Sequence, residues 1–298
     1  MTKGAPYDRV HPRTRWGKAA LWVRFYMGRS VALDRETLHL HRWGARERAA
    51  FLASKAAALP ALQAGRTATV RAGDVHFRAT SPLDLGTFQT CLLDVHDVVV
   101  VPAVLDGTPA PVVVDVGANV GQFAAATRAF VPDAQIVSVE PDPDTHAKLR
   151  HNLAGFPGAR SHQVAVGEER AVMTLHRHHV SVMATLRPGE VEDYDPELTV
   201  DVDVLTLDEI TADLPRIDLL KIDVEGFEVE ALRGARETLA RSRYLLLEVG
   251  LGRESSGANL EALALVRSIV PGARIVRFGR PLGGADAPIC QDVLIALG

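Results

Sequence analysis

Asp115, Gly117, Asn119 and Gly121 lie within seven residues of one another, directly behind the apolar run Val112-Val113-Val114, and Glu140 follows a second apolar run, Ile136 to Val139. The pattern describes a strand, a glycine-bearing loop, the start of a helix, and a second strand that ends on a carboxylate. It suits nucleoside binding. Glycines let the backbone approach a ligand with no Cβ in the way, and the first turn of a helix offers unpaired N–H groups. An acidic residue at the end of the second strand stands where a ribose presents its two hydroxyls.

The loop distinguishes among nucleotides. Dinucleotide binding calls for G-x-G-x-x-G, whereas this segment reads D-x-G-x-N-x-G, with Asn119 where the second glycine would admit a pyrophosphate. That argues against NAD and FAD. S-adenosylmethionine fits better: it has no phosphate, and its ammonium and sulfonium suit a carboxylate and carbonyl oxygens. A tight turn in any α/β protein is the competing reading of the loop alone.

A second set of chemical groups lies downstream. Asp223 and Glu225 follow the apolar run Leu219 to Ile222, and Glu248 ends the run from Tyr244. All three fall on the carboxyl edge of their strands, where open α/β sheets bind ligands. Either Asp223 or Glu225 could instead cap the helix that begins just beyond. Asp223 with Glu248 could hold Mg²⁺, a hard ion that prefers oxygen ligands. Methyl transfer is an in-line displacement that needs alignment, exclusion of water and removal of one proton from the acceptor. The unperturbed pKa of histidine suits that last task, and His176, His178 and His179 occur together. Of these His179 is the base expected, with Asp223 as its rival; a solvent-exposed polar hairpin would equally explain the three histidines.

The elements that must position these groups follow from periodicity. After Pro111, strands (112–116, 135–139, 161–166, 218–222, 244–249) alternate with helices (121–130, 143–154, 228–241, 259–270), and the final runs 273–278 and 291–296 read as an antiparallel hairpin. Seven strands result. Between residues 172 and 207 the rhythm gives way to short β-like runs, an inserted flap. Upstream, Trp16 to Leu62 is helical in pattern, with Arg46 to Leu59 stopped by Pro60; Thr67 to Arg71 and Val75 to Ala79 form a hairpin; and Phe88 to Leu105 is helical. Residues 1–106 are therefore expected to be a mainly helical extension that covers the ligand crevice or makes an oligomer contact, and residues 107–298 the ligand-binding domain.

Three ordered segments, Val113 to Gly121, Leu205-Thr206-Leu207-Asp208-Glu209 and Leu219 to Glu228 (LLKIDVEGFE), closely resemble the FkbM-type methyltransferases, over about residues 110 to 250. The resemblance implies the doubly wound, Rossmann-like seven-stranded sheet of class I methyltransferases. It also implies S-adenosylmethionine-dependent O-methylation, usually of a sugar or natural-product hydroxyl. Gly117, Asn119, Gly121 and Glu140 would then hold the cofactor. Asp115 would order the loop or reach the ligand through water, and Asp223 would stand beside the cofactor's amino-acid end or the acceptor hydroxyl, with Glu225 next to it.

Composition limits the alternatives. Nearly half of the 298 residues are apolar, enough for a full core, and no apolar stretch approaches the roughly 20 residues that span a bilayer. With no secretion signal evident, the cytoplasm is the expected location. Cys91 and Cys290 are too few for a disulfide framework and wrongly spaced for zinc. The first 60 residues hold 12 Lys/Arg against 4 Asp/Glu, a basic cap on an acidic body. Because Trp16, Trp22, Val23, Tyr26 and Met27 intersperse those cations at helical spacing, a docked helix with a solvated face is favoured over nucleic-acid or membrane binding. The expected partner is a small hydroxylated acceptor, and a homodimer is compatible with the chain. Two rival readings are a non-catalytic binding protein of the same fold and a nicotinamide oxidoreductase.

Overall fold

The computed structural model describes residues 30–177, 184–186, 198–250, 256–284 and 287–298. His178, His179 and Tyr194, and the aromatic and basic residues before Ser30, lie outside them.

The central sheet has seven strands: β3 (Val112–Val116), β4 (Gln135–Val139), β5 (Arg160–His162), β9 (Leu219–Ile222), β10 (Tyr244–Gly250), β11 (Arg274–Gly284) and β12 (Ala287–Ala296). Their order is β11-β12-β10-β9-β3-β4-β5. The strands from β5 to β10 run parallel, while β12 is antiparallel to both β10 and β11. This is the expected doubly wound sheet with its closing hairpin. All five residues of β3 and all four of β9 are buried, as befits central strands covered on both faces.

One face is covered by α4 (Gln122–Phe130), α5 (Pro143–Leu153) and the N-terminal elements: α1 (residues 30–37), α2 (Ala45–Gln63), the hairpin β1 (Ala68–Ala72) and β2 (Val75–Ala79), and α3 (Pro82–Val95). The other face is covered by α6 (Leu207–Ile210), α7 (Glu228–Arg233), α8 (Arg236–Ala240) and α9 (Ser256–Ile269). Helix starts follow local chemistry. Ser81 and Asp84 form a capping box ahead of α3, with Pro82 in its first turn; Asp142 caps α5 ahead of Pro143; Thr206 and Glu209 cap α6.

The N-terminal elements join the body through Asn152. Its Oδ1 accepts from the Arg78 amide at 2.9 Å, and its Nδ2 donates to the carbonyls of Arg78 and Val120 at 3.2 and 2.8 Å. The hairpin thereby holds the end of the glycine loop. No helix among the described residues is long and apolar enough to cross a membrane.

The structure revises several element boundaries. Pro60 lies inside α2, which continues to Gln63. In the final turn a proline forfeits only the bond of its own missing N–H, and the Pro60 carbonyl still accepts from Ala64. From Ser30 onward the segment before it is two helices with a break at residues 38–44, and the helix expected over Phe88 to Leu105 is α3 followed by one π-helical turn, His96–Val100. Residues 161–166 divide between two sheets: β5 closes the main sheet, whereas β6 (Ala165–Val166) joins β7 (Ala171–His176) and β8 (Thr199–Leu205) in a three-stranded sheet ordered β6-β8-β7. That small sheet occupies the region read as a flap. The helix expected over 228–241 breaks at Gly234, where an added Cβ would stand 2.1 Å from the Gly167 carbonyl oxygen, so two backbones meet there.

Candidate cofactor and active site

A cavity of about 570 Å³ opens at the carboxyl ends of β3, β4, β9 and β10. Gly117, Ala118, Asn119, Gln122 and Glu140 line one side, Asp223, Glu225, Glu248 and Asp292 the next, and Leu175, Ala184 and Leu186 of the small-sheet region contribute apolar surface. Residues of α1, α2 and α3 complete the wall.

The glycine loop folds over the end of β4, where the Gly117 and Ala118 amides both donate to the Val139 carbonyl at 3.0 Å. Gly117, Asn119 and Gly121 all adopt positive φ, at 78°, 48° and 91°. Asn119 tolerates that region better than most residues and accepts from the Val120 amide through Oδ1 at 2.7 Å. The two glycines serve packing as well as openness. A Cβ on Gly117 would meet the Asp223 backbone, and one on Gly121 would stand 3.0 Å from Leu149 Cδ1 on α5. Gly121 lies outside the cavity lining.

Glu140 is buried at the cavity edge. Its Oε2 accepts from the Asn119 amide and its Oε1 from the Asp142 amide, each at 3.0 Å. Burial raises its pKa to about 7, against the opposing effect of those two bonds. Each oxygen keeps a second lone pair for a ligand hydroxyl.

Beneath the cavity, register sets Asp115 beside Lys221 of β9 and Ser138 of β4. Asp115 is wholly buried and absent from the cavity lining. Burial first, and then the charge of Asp223, lift its pKa to about 6. Lys221 Nζ donates to Asp223 Oδ2 at 2.8 Å, stands 3.7 Å from Asp115 Oδ1, and lies over the Phe123 ring at 5.5 Å. Burial opposes the lysine's charge, but Asp223 and Asp115 outweigh it and hold its pKa above the usual lysine value.

Against this lysine the site collects acids. Asp223, Glu225 and Glu248 bring one oxygen each to within 4.8 Å of the others, and Asp292 is the register partner of Glu248. Burial, then Asp223 and Glu228, raise the Glu225 pKa to about 8. The Asp223 charge and then burial raise that of Glu248, and burial followed by Asp223 brings Asp292 to about 6. Such a group is stabilised by protons or by a bound cation. The loop beyond β9 does not use these carboxylates as caps. Glu228 Oε1 accepts from the Val224 and Gly226 amides at 3.2 and 3.1 Å, while Thr185 Oγ1 donates to the Glu225 carbonyl at 2.9 Å. Glu225, with φ 50°, carries its carboxylate on the cavity wall.

Two groups escaped sequence reasoning. Lys221 was visible only as a charged residue in an apolar strand. Gln122, 2% exposed, lines the cavity with its Nε2 unpaired among the described residues. Cys91 and Cys290 also line the cavity as free thiols whose pKa burial pushes up. Among the described residues the lining contains no histidine. His176 ends β7 one position beyond the cavity-facing Leu175, and His179, the expected base, is outside the described residues.

Comparison with known proteins agrees with the geometry. The family model described as "Methyltransferase FkbM domain" matches residues 115–268, more than half of the chain. The 2-O-methyltransferase NoeI of Sinorhizobium fredii is 27% identical over 160 residues, or 47% of this chain; the match spans 63% of that relative's length. The backbone is similar to that of Aeropyrum pernix fibrillarin, solved with bound S-adenosyl-L-methionine (TM-score 0.41, 12% identity, 63% of this chain and 67% of that one). It is also similar to magnesium protoporphyrin IX methyltransferase from Synechocystis PCC 6803 (TM-score 0.41, 15% identity, 73% and 83%). With its family signature running from Asp115 through the carboxylate cavity, the chain belongs to the FkbM-domain methyltransferases.

Proposed function

We propose that the protein is an S-adenosylmethionine-dependent O-methyltransferase acting on a hydroxyl of a sugar, glycoside or natural product. The observation that carries this reading is the cavity itself, in which a glycine loop with Asn119 in place of the pyrophosphate-admitting glycine, a buried ribose-type acid and an excess of carboxylates face one space. The residues suit the cofactor at each end. Glu140 takes the ribose hydroxyls, the amide of Gln122 has an open donor for the methionyl carboxylate, and the acidic group matches an ammonium and a sulfonium.

When bound, S-adenosylmethionine supplies a methyl group already activated by its positive sulfur. The chain aligns the acceptor, excludes water through Leu175, Ala184 and Leu186, and removes one proton. Asp223 is the base in this reading, oriented by Lys221 at 2.8 Å, with Glu225 beside it. His179 is the second choice. Residues 107–298 bind the cofactor, and the extension up to residue 106 forms the acceptor side.

A second reading of Asp223, Glu225 and Glu248 is a Mg²⁺ site, since three oxygens at this spacing suit a hard cation. The 2-O-methyltransferase relative supports an oxygen as the methyl acceptor. Incubation with methyl-tritiated cofactor and a panel of glycosides tests the proposal. Label in a product insensitive to mild base supports an ether, and no transfer to any acceptor, with the cofactor bound, returns the protein to a binding role.

A further inference from the structure

The side of the cavity built by α1, α2 and α3 carries a polar cluster that lies outside the residues matched by the family model. Lys55 is buried there, with a side chain only 5% exposed. Its Nζ donates to Ser30 Oγ at 2.7 Å, to Asp34 Oδ1 at 2.5 Å and to Gln89 Oε1 at 2.6 Å. An ammonium has three N–H donors, so all are used. Gln89, fully buried, donates its Nε2 to Asp34 Oδ1 and to Thr37 Oγ1, both at 2.9 Å.

One strong polar atom remains open. Among the described residues Asp34 Oδ2 has no hydrogen-bond partner, and the Asp34 side chain is 37% exposed at the cavity wall. A carboxylate whose other oxygen is held by a buried lysine and glutamine is fixed in orientation, and its free oxygen can only accept. The lysine cannot reach an anion without giving up a partner.

We infer that Asp34 is an acceptor-binding residue, and that the Asp34–Lys55–Gln89 cluster forms a subsite for a neutral, sugar-like polyol whose hydroxyls donate to Asp34 Oδ2. The subsite rests on the methyl-transfer reading for its purpose, and its occupancy is measurable without catalysis. A phosphorylated or uronate sugar is disfavoured there, because the one cation of the cluster has all three of its N–H groups engaged.

The test is saturation-transfer NMR on the full chain with S-adenosylhomocysteine, using methyl glucopyranoside, its 6-phosphate and the corresponding uronate as probes. The neutral pyranoside should bind at least about tenfold more tightly than either anion, as expected when a carboxylate fixed in orientation is matched rather than opposed. Asp34→Asn keeps the Oδ1 acceptor for Lys55 and Gln89, and should weaken pyranoside binding by about tenfold or more. Its calorimetric affinity for S-adenosylhomocysteine should match that of the wild type. Equal pyranoside binding by the variant, no pyranoside binding by the wild type, or tighter binding of the phosphate would each overturn the inference. The comparison among the three probes uses the wild type alone, so it stands even if the variant fails to fold. Failure of the wild type to bind S-adenosylhomocysteine would instead count against the methyl-transfer reading, and the pyranoside arm run without it would still decide the subsite.

Discussion

Gly117 sits against the backbone of Asp223 so closely that a Cβ on it would stand 1.7 Å from the Asp223 carbonyl oxygen. The glycine loop and the end of β9 are therefore one assembled unit, and the two halves of the candidate site are set by a single contact. Gly117→Ala should displace both. With its φ of 78°, the position adds backbone strain to the clash, for a destabilisation of about 2–5 kcal/mol. Gly86→Ala, in α3 with nothing within 4 Å of its added Cβ, should leave stability unchanged or raise it. Thermal denaturation of the two variants checks the contrast, and a Gly117→Ala protein as stable as Gly86→Ala would contradict the contact.

Gln122 separates binding from folding. An unpaired buried amide donor destabilises the free protein, so Gln122→Leu should leave stability equal or higher. If the amide meets the methionyl carboxylate, the same change should weaken S-adenosylmethionine binding by about 1–3 kcal/mol, roughly tenfold or more. Unchanged affinity by calorimetry would remove Gln122 from the cofactor site.

The pH dependence of stability has a defined sign. Glu225 ionises at about 8 in the folded chain, above the ordinary carboxylate value, so its contribution is full at low pH and is lost as pH rises through that value. His146 and His162 have lowered pKa values, chiefly through burial, and are neutral in folded and unfolded chains alike only above about pH 7.5, one unit beyond the free histidine value. The melting temperature of the ligand-free protein should therefore fall between about pH 7.5 and 8.5. Glu225→Gln should flatten that slope. The cationic cofactor, by favouring the charged carboxylates, should release protons on binding and bind more tightly as pH rises through the same window. A melting temperature that climbs across this range in wild type would refute the assignment.

Much of this arrangement was legible in the chain. The apolar runs Val112-Val113-Val114, Ile136-Val137 and Leu245-Leu246-Leu247 identify the central strands, and the loop residues 115–121 declare their special backbone through glycine and asparagine. Glu140 follows from its place behind the second strand. What stayed hidden depends on the third dimension. The pairing of Asp115 with Lys221 joins residues far apart in sequence through strand register, and the Asp34–Lys55–Gln89 cluster joins three helices. Nor does period-two patterning state which sheet a strand enters, which is why residues 161–166 read as one strand and form two. Pro60 misled for a local reason: it falls in the last turn of α2, where it costs one backbone bond and only three helical residues follow it.

Asp223 and its neighbours can be tested as a base or as metal ligands. Asp223→Asn should lower kcat by about 10²–10⁴ while the cofactor affinity stays within several-fold of wild type. Stripping divalent ions with a chelator should leave turnover essentially intact if Asp223 acts as the base. Loss of activity restored by Mg²⁺ would assign Asp223, Glu225 and Glu248 to a metal instead.

The most direct measurement of the central claim is a crystal structure of the protein with S-adenosylmethionine. The account predicts the ribose on Glu140, the amino-acid end between Gln122 and the carboxylates, and the methyl directed toward Asp223 and the wall built by α1 to α3. A ligand found outside this cavity, or a cavity that admits NAD in its place, would contradict it.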